Sequence, residues 1–394
     1  MTEPRLLTIN AGSSSIKAAL FTPAKPAERV VSASATRIGL TGAELSVARA
    51  GEPVVKAALS APDHAAALSA LLAAFEPDGG LGSVVAIGHR IVHGGNDDCP
   101  QRLTAAVLFA LGRLRALDPD HMPAQLAIFE ALSKLAPALP QMACFDTAFH
   151  RNMPRVARLL PIPRRFEAAG VERYGFHGLS YEFLIAELGR VAGAEAARGR
   201  VVLAHLGSGA SLCGLVGGRS VDTTMGFTPT SGIMMGTRSG DLDPGLLLYL
   251  LRTEGAGTAA LDDLVNRKSG LLGVSDISPD MADLLAAEAS DPRAADAVEL
   301  FCHQARKAIG ALATSTNGLD TLVFSGGIGE RAAPVRARIA RGLEHLGVLL
   351  DPAQNAANAG VISAEQSPCT VRVLHTDEES ILARETHNLL ETPA

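Results

Sequence analysis

The chain has 394 residues, 47% hydrophobic and 19% charged, which excludes a disordered polymer and supplies apolar mass for two cores. Its formal charge of -6 excludes the broad basic face that nucleic acid requires, so an anionic substrate must be held by local arginines. Five scattered cysteines without a C-x-x-C pair, no apolar run near the ~18 residues that span a bilayer, and no leader segment predict a cytoplasmic protein with buried thiols, no disulfide frame, no zinc site and no membrane association.

In chain order, strands are predicted at 5–9 and 16–21, joined by Asn10-Ala11-Gly12-Ser13-Ser14-Ser15-Ile16-Lys17. This is not the G-x-x-x-x-G-K-[ST] spacing, and an alternating strand follows instead of a helix, so the segment reads as a hairpin. Glycine lets backbone N–H groups approach an anion, with Asn10, Ser13, Ser15 and Lys17 adding donors. An ordinary Gly-Ser hairpin is the rival reading. A helix at 63–75 precedes a strand at 84–87 that runs into Gly88-His89-Arg90-Ile91-Val92-His93-Gly94-Gly95. Ligands of α/β folds sit at strand ends, so Arg90 would grip a carboxylate or phosphate there, unless it pairs with a structural acid. Helices follow at 103–116 and 123–135, the second started by Pro123. A strand at 141–145 delivers Asp146, a candidate to align an oxygen directly or through Mg²⁺. The polar stretch 151–165 reads as a crossing between two lobes.

His177, between glycines and ahead of a helix at 180–192, would donate to a phosphoryl oxygen or serve structure alone. Strands at 201–206 and 211–216 flank a second glycine turn, Gly207-Ser208-Gly209-Ala210-Ser211. Its surroundings match those of Gly12 in character, which suggests two lobes of related topology, although an apolar strand before a glycine turn is a common pattern. The segments Thr224–Pro229 and Met235–Pro244 mix apolar side chains, glycines and Arg238, the composition of a small-substrate pocket with a second arginine clamp. Two arginines on one phosphoryl group would supply much of what phosphoryl transfer needs, positioning and charge neutralisation. Helices are predicted at 244–253, 294–316 and 333–346, and strands at 320–325 and 371–374. The strand at 320–325 opens a third glycine loop, Gly326-Gly327-Ile328-Gly329-Glu330. Glu378, a metal ligand or a solvated acid, precedes a final helix at about 379–391 expected to pack back on the first lobe. The alternation of strands and helices predicts an α/β architecture.

At these residues the chain resembles the acetate kinase family, which comprises acetate and propionate kinases. The matching runs are Asn10–Lys17, Gly88–Gly95, Phe145–His150, Tyr174–Gly178, Met225–Pro229, Met235–Arg238, Lys268–Ser275, Gly327–Glu330 and Ala383–Thr386, in family order and over nearly the whole chain. The resemblance implies two ribonuclease-H-like lobes of the sugar-kinase/actin/heat-shock ATPase superfamily, with an active-site cleft between them. Residues 1–150 plus 380–394 would form the N-terminal lobe, and 151–379 a nucleotide-binding and dimerisation lobe. It implies reversible phosphoryl transfer from ATP to acetate, giving acetyl phosphate and ADP, with Mg²⁺ or Mn²⁺, in a cytoplasmic homodimer. Arg90, Asp146, His177 and Arg238 would be catalytic, with Asn10 and Glu378 serving the metal and Asp146 positioning carboxylate and metal. Val92, Phe176 and Pro229 would line the methyl pocket beside Arg90. Nucleotide and phosphate would be held by Ser13, Ser15, Lys17, His205, Leu206, Gly207, Ser208, Gly209, Asp280, Met281, Ala282, Gly327, Ile328, Gly329 and Arg331.

Three positions depart from the family pattern. Asp120 stands where an apolar residue usually precedes His121, and would put a carboxylate at the edge of the acyl pocket. Ser208 stands where Asn is usual, and Ala282 and Arg331 stand where Arg and Asn are usual. Propionate or another short acid, and pyrophosphate as donor, are the alternatives these departures keep open. A non-enzymatic ATP-gated module would leave Arg90, His177 and Arg238 without a task.

Overall fold

The computed structural model describes residues 3–12, 14–25, 27–115, 118, 121–255 and 257–392, so the expectations for Ser13 and Asp120 lie outside the described residues. The chain divides into two compact units, Met1–Arg151 with Asp377–Ala394, and Asn152–Thr376.

In the first unit, eight strands among the described residues form one sheet: β1 (Arg5–Ala11), β2 (Ser15–Phe21), β3 (Arg29–Thr36), β4 (Glu44–Arg49), β5 (Val55–Ala58), β6 (Val84–Ile91), β7 (Gln101–Arg102) and β8 (Gln141–Phe145), in the order β5-β4-β3-β2-β1-β6-β8-β7. β1 to β5 form an antiparallel meander, while β6 and β8 are added parallel to β1. Parallel neighbours need crossovers, and helices His64–Ala74 and Met122–Leu135 supply them. Leu68 and Leu71 of the first and Ile128 and Leu132 of the second join Leu7, Ile9, Ile16 and Leu20 in one buried core. The other face buries Leu6, Ala19, Phe21 and Ala86 with Ala383 of helix Glu378–Glu391. That helix seats against β6 because Gly88 has no side chain: a Cβ there would lie 2.1 Å from Thr386 Oγ1.

In the second unit, β9 (Arg200–Leu206), β10 (Ala210–Val216), β11 (Arg219–Thr223), β12 (Thr321–Ser325) and β13 (Thr370–Val373) run in the order β11-β10-β9-β12-β13. β9 and β10 are an antiparallel hairpin, and β12 and β13 are added parallel to β9. The order β3-β2-β1-β6-β8 of the first unit repeats this arrangement of three antiparallel strands and two parallel additions. The kinship of the two glycine hairpins is therefore topological. Helix Pro292–Ser315, capped by Asp291, buries Phe301, Ala305, Ile309 and Leu312 beneath the sheet.

Several elements differ from expectation. β3 to β5, β7 and β11 were not anticipated. The β3 run, RVVSASAT, alternates in burial, but its branched residues, Val30, Val31 and Thr36, lie at its ends around a Ser-Ala middle, so its strand signal is weak. The helix expected at 333–346 stops at Ala340, because Gly342 takes φ 95° and a short 3-10 turn, Glu344–Leu346, follows. The third glycine loop is a short helix, Gly326–Arg331, entered through Gly326 at φ 75°. Four cysteines are buried as expected, but Cys99 is exposed.

Candidate active site

The first unit gathers polar groups at the C-terminal ends of three adjacent parallel strands, where the ends of the backbone ladder leave room for ligands. Register explains why. Ile9 of β1 faces His89 of β6, which sets Asn10 beside Arg90, and Ile91 of β6 faces Phe145 of β8, which sets Asp146 beyond the same edge. Arg90 Nε donates to both Asp146 oxygens at 3.1 and 3.0 Å, and Nη2 donates to Oδ2 of the same carboxylate. Its Nη1 donates to Asn10 Oδ1 at 3.0 Å and lies 3.6 Å from Glu378 Oε2. Asn10 Nδ2 in turn donates to Glu378 Oε2 at 3.0 Å. Residues 368 positions apart are thus joined, because helix Glu378–Glu391 belongs to this unit and presents Glu378 at its first turn.

Burial opposes the charge on Arg90, but Asp146 and Glu378 outweigh it and hold the guanidinium above its ordinary value. Burial pushes the Asp146 carboxyl up, against the pull of Arg90, and Glu378 adds to the upward push. Arg90 is the partner of a buried acid, the rival to its reading as a clamp. Its fork is spent on Asp146, and the edge bearing Nη1 faces Asn10 and Glu378.

Gln125, which sequence reasoning did not select, fixes the strand edges: its Oε1 accepts from Val92 N at 3.1 Å and its Nε2 donates to Ala11 O at 3.0 Å. Thr147 Oγ1 accepts from Gly94 N at 3.1 Å. His121 Nδ1 lies 2.8 Å from Asp118 Oδ1. In the first hairpin, Gly12 N donates to Ser15 O at 2.8 Å, and Lys17 is exposed on β2 opposite Asn10.

The second unit places a separate set of groups around the Gly207–Gly209 turn. A Cβ on Gly209 would lie 2.9 Å from Arg238 Nη2 and 3.5 Å from His177 Nε2, and one on Gly207 would lie 3.6 Å from His205 Nε2. The His177 and His205 rings stack with centroids 4.3 Å apart. Arg238 is aimed by its own Nη1, which donates to Pro229 O at 2.6 Å. Its turn is stapled in place: Met235 N donates to Arg238 O at 3.0 Å, and Gly236 N donates to Ser208 O at 3.0 Å. Leu271 N donates to Met235 O from below, an approach that Gly270 permits, since a Cβ there would lie 2.2 Å from that oxygen. Gly326 abuts Leu206 in the same way, a Cβ there lying 2.6 Å from Leu206 O, which brings the third glycine segment to the second. Asp280 caps helix Met281–Ala287, accepting from Ala282 N at 2.8 Å, and Pro279 O lies against Gly236.

The family model of the acetokinase family matches residues 5–384. The chain belongs to the acetokinase family. It is 44% identical over 401 residues to an acetate kinase of Rhodopseudomonas palustris, with 98% of each chain covered. Among solved structures it is similar to a propionate kinase of Francisella tularensis, with a TM-score of 0.91, 33% identity, and 98% and 99% of the two chains covered. It is similar also to the Porphyromonas gingivalis acetate kinase, with a TM-score of 0.88, 34% identity, and 98% and 100% covered. These likenesses place the two sheets in the actin-like α/β fold expected from the sequence.

Among the residues selected for this acetokinase-family chain, the first unit brings together Asn10, Arg90, Asp146 and Glu378, and Val92, two residues after Arg90, is buried. The second brings together His177, His205, Leu206, Gly207, Ser208, Gly209, Pro229 and Arg238. Phe176 is buried directly before His177, and Gly327, Ile328, Gly329 and Arg331 lie on the short helix after β12. Sequence reasoning missed the groups that hold these side chains, namely Gln125, Thr147, Ser180, Tyr181 and Ser211. Their side-chain partners are mostly distant in sequence, and only Thr147, inside the Phe145–His150 run, and Ser211, inside a glycine-turn motif, gave any signal.

Proposed function

We propose that the protein transfers a phosphoryl group reversibly between ATP and acetate, giving acetyl phosphate and ADP. As a member of its family the chain is a phosphotransferase with a carboxyl acceptor, and ATP and ADP are its co-substrates. The observation that carries the reading is the turn Gly207-Ser208-Gly209, whose two glycines, bare of a Cβ, are faced by His177 Nε2, His205 Nε2 and Arg238 Nη2, a cradle for an anion in a chain otherwise acidic.

Acetate is ionised at neutral pH and needs no general base. One of its oxygens forms a bond to the γ-phosphorus while the bond to the β–γ bridging oxygen breaks, and ADP leaves with that oxygen. The protein's task is positioning and charge neutralisation. Arg90 approaches the migrating group with the edge bearing Nη1, and Arg238 and His177 donate to its oxygens. Asp146 orients the Arg90 fork and with Glu378 supplies carboxylate oxygens. Val92, Phe176 and Pro229 contact the methyl group, and Lys17, Ser13, Ser15 and the Gly327–Arg331 helix serve the nucleotide and its phosphates.

Mg²⁺, or Mn²⁺ in its place, suits this donor set. Such an ion takes one or two carboxylates and completes its shell with water and phosphate oxygens. Asp146, Glu378 and Asn10 offer that, and no cage of three or more metal-binding side chains occurs among the described residues. Bound there, the ion would neutralise charge on the β- and γ-phosphate oxygens.

Helix Pro244–Thr253, PGLLLYLLRT, supports a homodimer: none of its residues is buried, and Leu248 and Tyr249 are 49% and 58% exposed. Free thiols, four of the five buried, fit a cytoplasmic setting. Among the described residues, no helix is long and apolar enough to cross a membrane.

Propionate is the second reading, favoured by the likeness to the F. tularensis propionate kinase. One methylene changes discrimination by only ~1–3 kcal/mol. Hydroxamate trapping of acyl phosphate, with acetate, propionate and butyrate against ATP and pyrophosphate, tests both. Acetate with ATP should give the highest kcat/KM, propionate ahead of acetate would favour the second reading, and no acyl phosphate with any pair would overturn both.

A further inference from the structure

His177 precedes helix Gly178–Ala192 in the left-handed region, at φ 60°. Tyr181 N donates to His177 O at 3.0 Å, so one helical turn sets the Tyr181 side chain beside the imidazole. Ser211 reaches the same point from β10, where it pairs with His205 of β9. Ser211 Oγ lies 2.8 Å from His177 Nδ1 and is hydrogen-bonded to the Tyr181 hydroxyl. Ser211 and Tyr181 are both fully buried.

A serine hydroxyl has one hydrogen and two acceptor sites. Placed between a phenol and an imidazole nitrogen, it can give its proton to only one of them. A phenol is a stronger acid than an alcohol, and an imidazole nitrogen a stronger acceptor than a phenol oxygen. The proton order phenol to serine to imidazole follows both gradients, and each bond polarises the next. Burial also pushes the Tyr181 phenol well above its ordinary value, so it keeps the proton it would donate.

We propose that Tyr181 and Ser211 are positioning residues that set the tautomer of His177: Tyr181 donates to Ser211, Ser211 donates to Nδ1, and the ring proton is held on Nε2. That nitrogen is the one facing Gly209 and Arg238. His177 therefore meets an incoming phosphoryl oxygen as a donor and not as a lone pair. His205 carries a parallel arrangement, with its Nδ1 2.8 Å from Ser180 Oγ, which lies 2.8 Å from Thr376 Oγ1. The effect on rate rests on the carboxylate-kinase reading, but the tautomer does not.

The test is a long-range ¹H–¹⁵N correlation spectrum of the full chain labelled with [¹⁵N]histidine, without substrate, in which His177→Gln assigns the ring. The parent should show the Nε2–H pattern, and Tyr181→Phe and Ser211→Ala should move His177 toward Nδ1–H. In the acyl phosphate assay each should lose about 10- to 100-fold in kcat, with KM changed by less than about threefold. Ser211→Thr, which keeps the hydroxyl, should restore most of the rate, and adding Tyr181→Phe to His177→Gln should cost nothing further. Tyr181→Phe removes a single oxygen, so it carries the test should Ser211→Ala fail to fold. An Nδ1–H pattern in the parent, or a Tyr181→Phe protein with unchanged tautomer and kcat, would overturn the proposal. An Nε2–H parent that makes no acyl phosphate from any acid would overturn the carboxylate-kinase reading and leave the tautomer assignment standing.

Discussion

Removing the Arg90 guanidinium probes the first unit most sharply. Arg90 Nε lies 3.1 and 3.0 Å from the Asp146 oxygens, and Nη1 donates to Asn10 Oδ1 at 3.0 Å. Asp146 is 1% exposed. Arg90→Ala therefore strands a buried carboxylate beside a second one, Glu378. Breaking a buried pair from one side costs about 3–5 kcal/mol. At about 2–4 °C per kcal/mol for a unit of this size, the melting temperature should fall by about 6–20 °C. The pH dependence has a definite sign. Burial and Glu378 already hold the folded Asp146 carboxyl above its ordinary value in the parent, and the variant loses the opposing pull of Arg90. The folded carboxyl then titrates still further above its unfolded value, so the folded state binds the extra proton and stability falls more steeply as pH rises through the folded value. Circular-dichroism melts at about pH 5 and about pH 8 should show the variant closer to the parent at the lower pH. Arg90→Ala/Asp146→Ala, which removes both charges, should recover most of the loss. A single variant melting within about 2 °C of the parent at both pH values, or a double variant whose losses simply add, would refute the reasoning. Turnover in Arg90→Ala should fall about 10³–10⁵-fold.

Gly209→Ala should cut turnover while leaving the melt nearly unchanged, because the new methyl would sit 2.9 Å from Arg238 Nη2, the movable end of a side chain; normal turnover would remove that turn from the site. Gly88→Ala should destabilise the first unit by about 1–3 kcal/mol through overpacking, since the methyl would meet Thr386 Oγ1 at 2.1 Å and Leu382 O at 3.2 Å. A melt identical to the parent would show that helix Glu378–Glu391 is not seated as described. His89 is buried with Nε2 2.7 Å from Gln141 Oε1, and burial lowers its pKa from 6.5 to about 4. The unfolded chain takes up that proton first, so stability should be full above pH 6.5 and decline as pH falls toward 4. The decline should amount to about 3 kcal/mol. Denaturant melts across that window check it, and a His89→Gln protein with the same acid slope as the parent would contradict it.

The parts of the site that the sequence displays are those where a backbone requirement forces a residue type. Gly12 and the Gly207–Gly209 turn follow apolar strands, and both structures are hairpins. Arg90 and Asp146 follow β-rich runs and stand at adjacent strand ends. The third glycine segment misled, because Gly326-Gly327-Ile328-Gly329 has poor helix propensity, yet the chain after β12 turns helical once Gly326 takes φ 75°. β3 stayed hidden behind its Ala and Ser residues, whose strand comes from pairing with β2 and β4 and not from local preference. The supporting groups left the weakest trace. Gln125 bridges Val92 and Ala11, and Ser211 bridges His177 and Tyr181, contacts that exist only after the sheets form. The coupling of Asn10 to Glu378 depends on the last helix returning to the first unit, which Gly88 and Thr386 permit by close approach.

In the proposed function, Arg90 and Arg238 would both act on the migrating phosphoryl group. A crystal structure of the protein with ADP, Mg²⁺, acetate and a planar metal fluoride standing in for PO₃ tests it most directly. The account predicts both guanidinium groups within hydrogen-bond distance of the fluoride, with Arg90 still braced by Asp146. A fluoride touched by only one of the two arginines, or by neither, would contradict it.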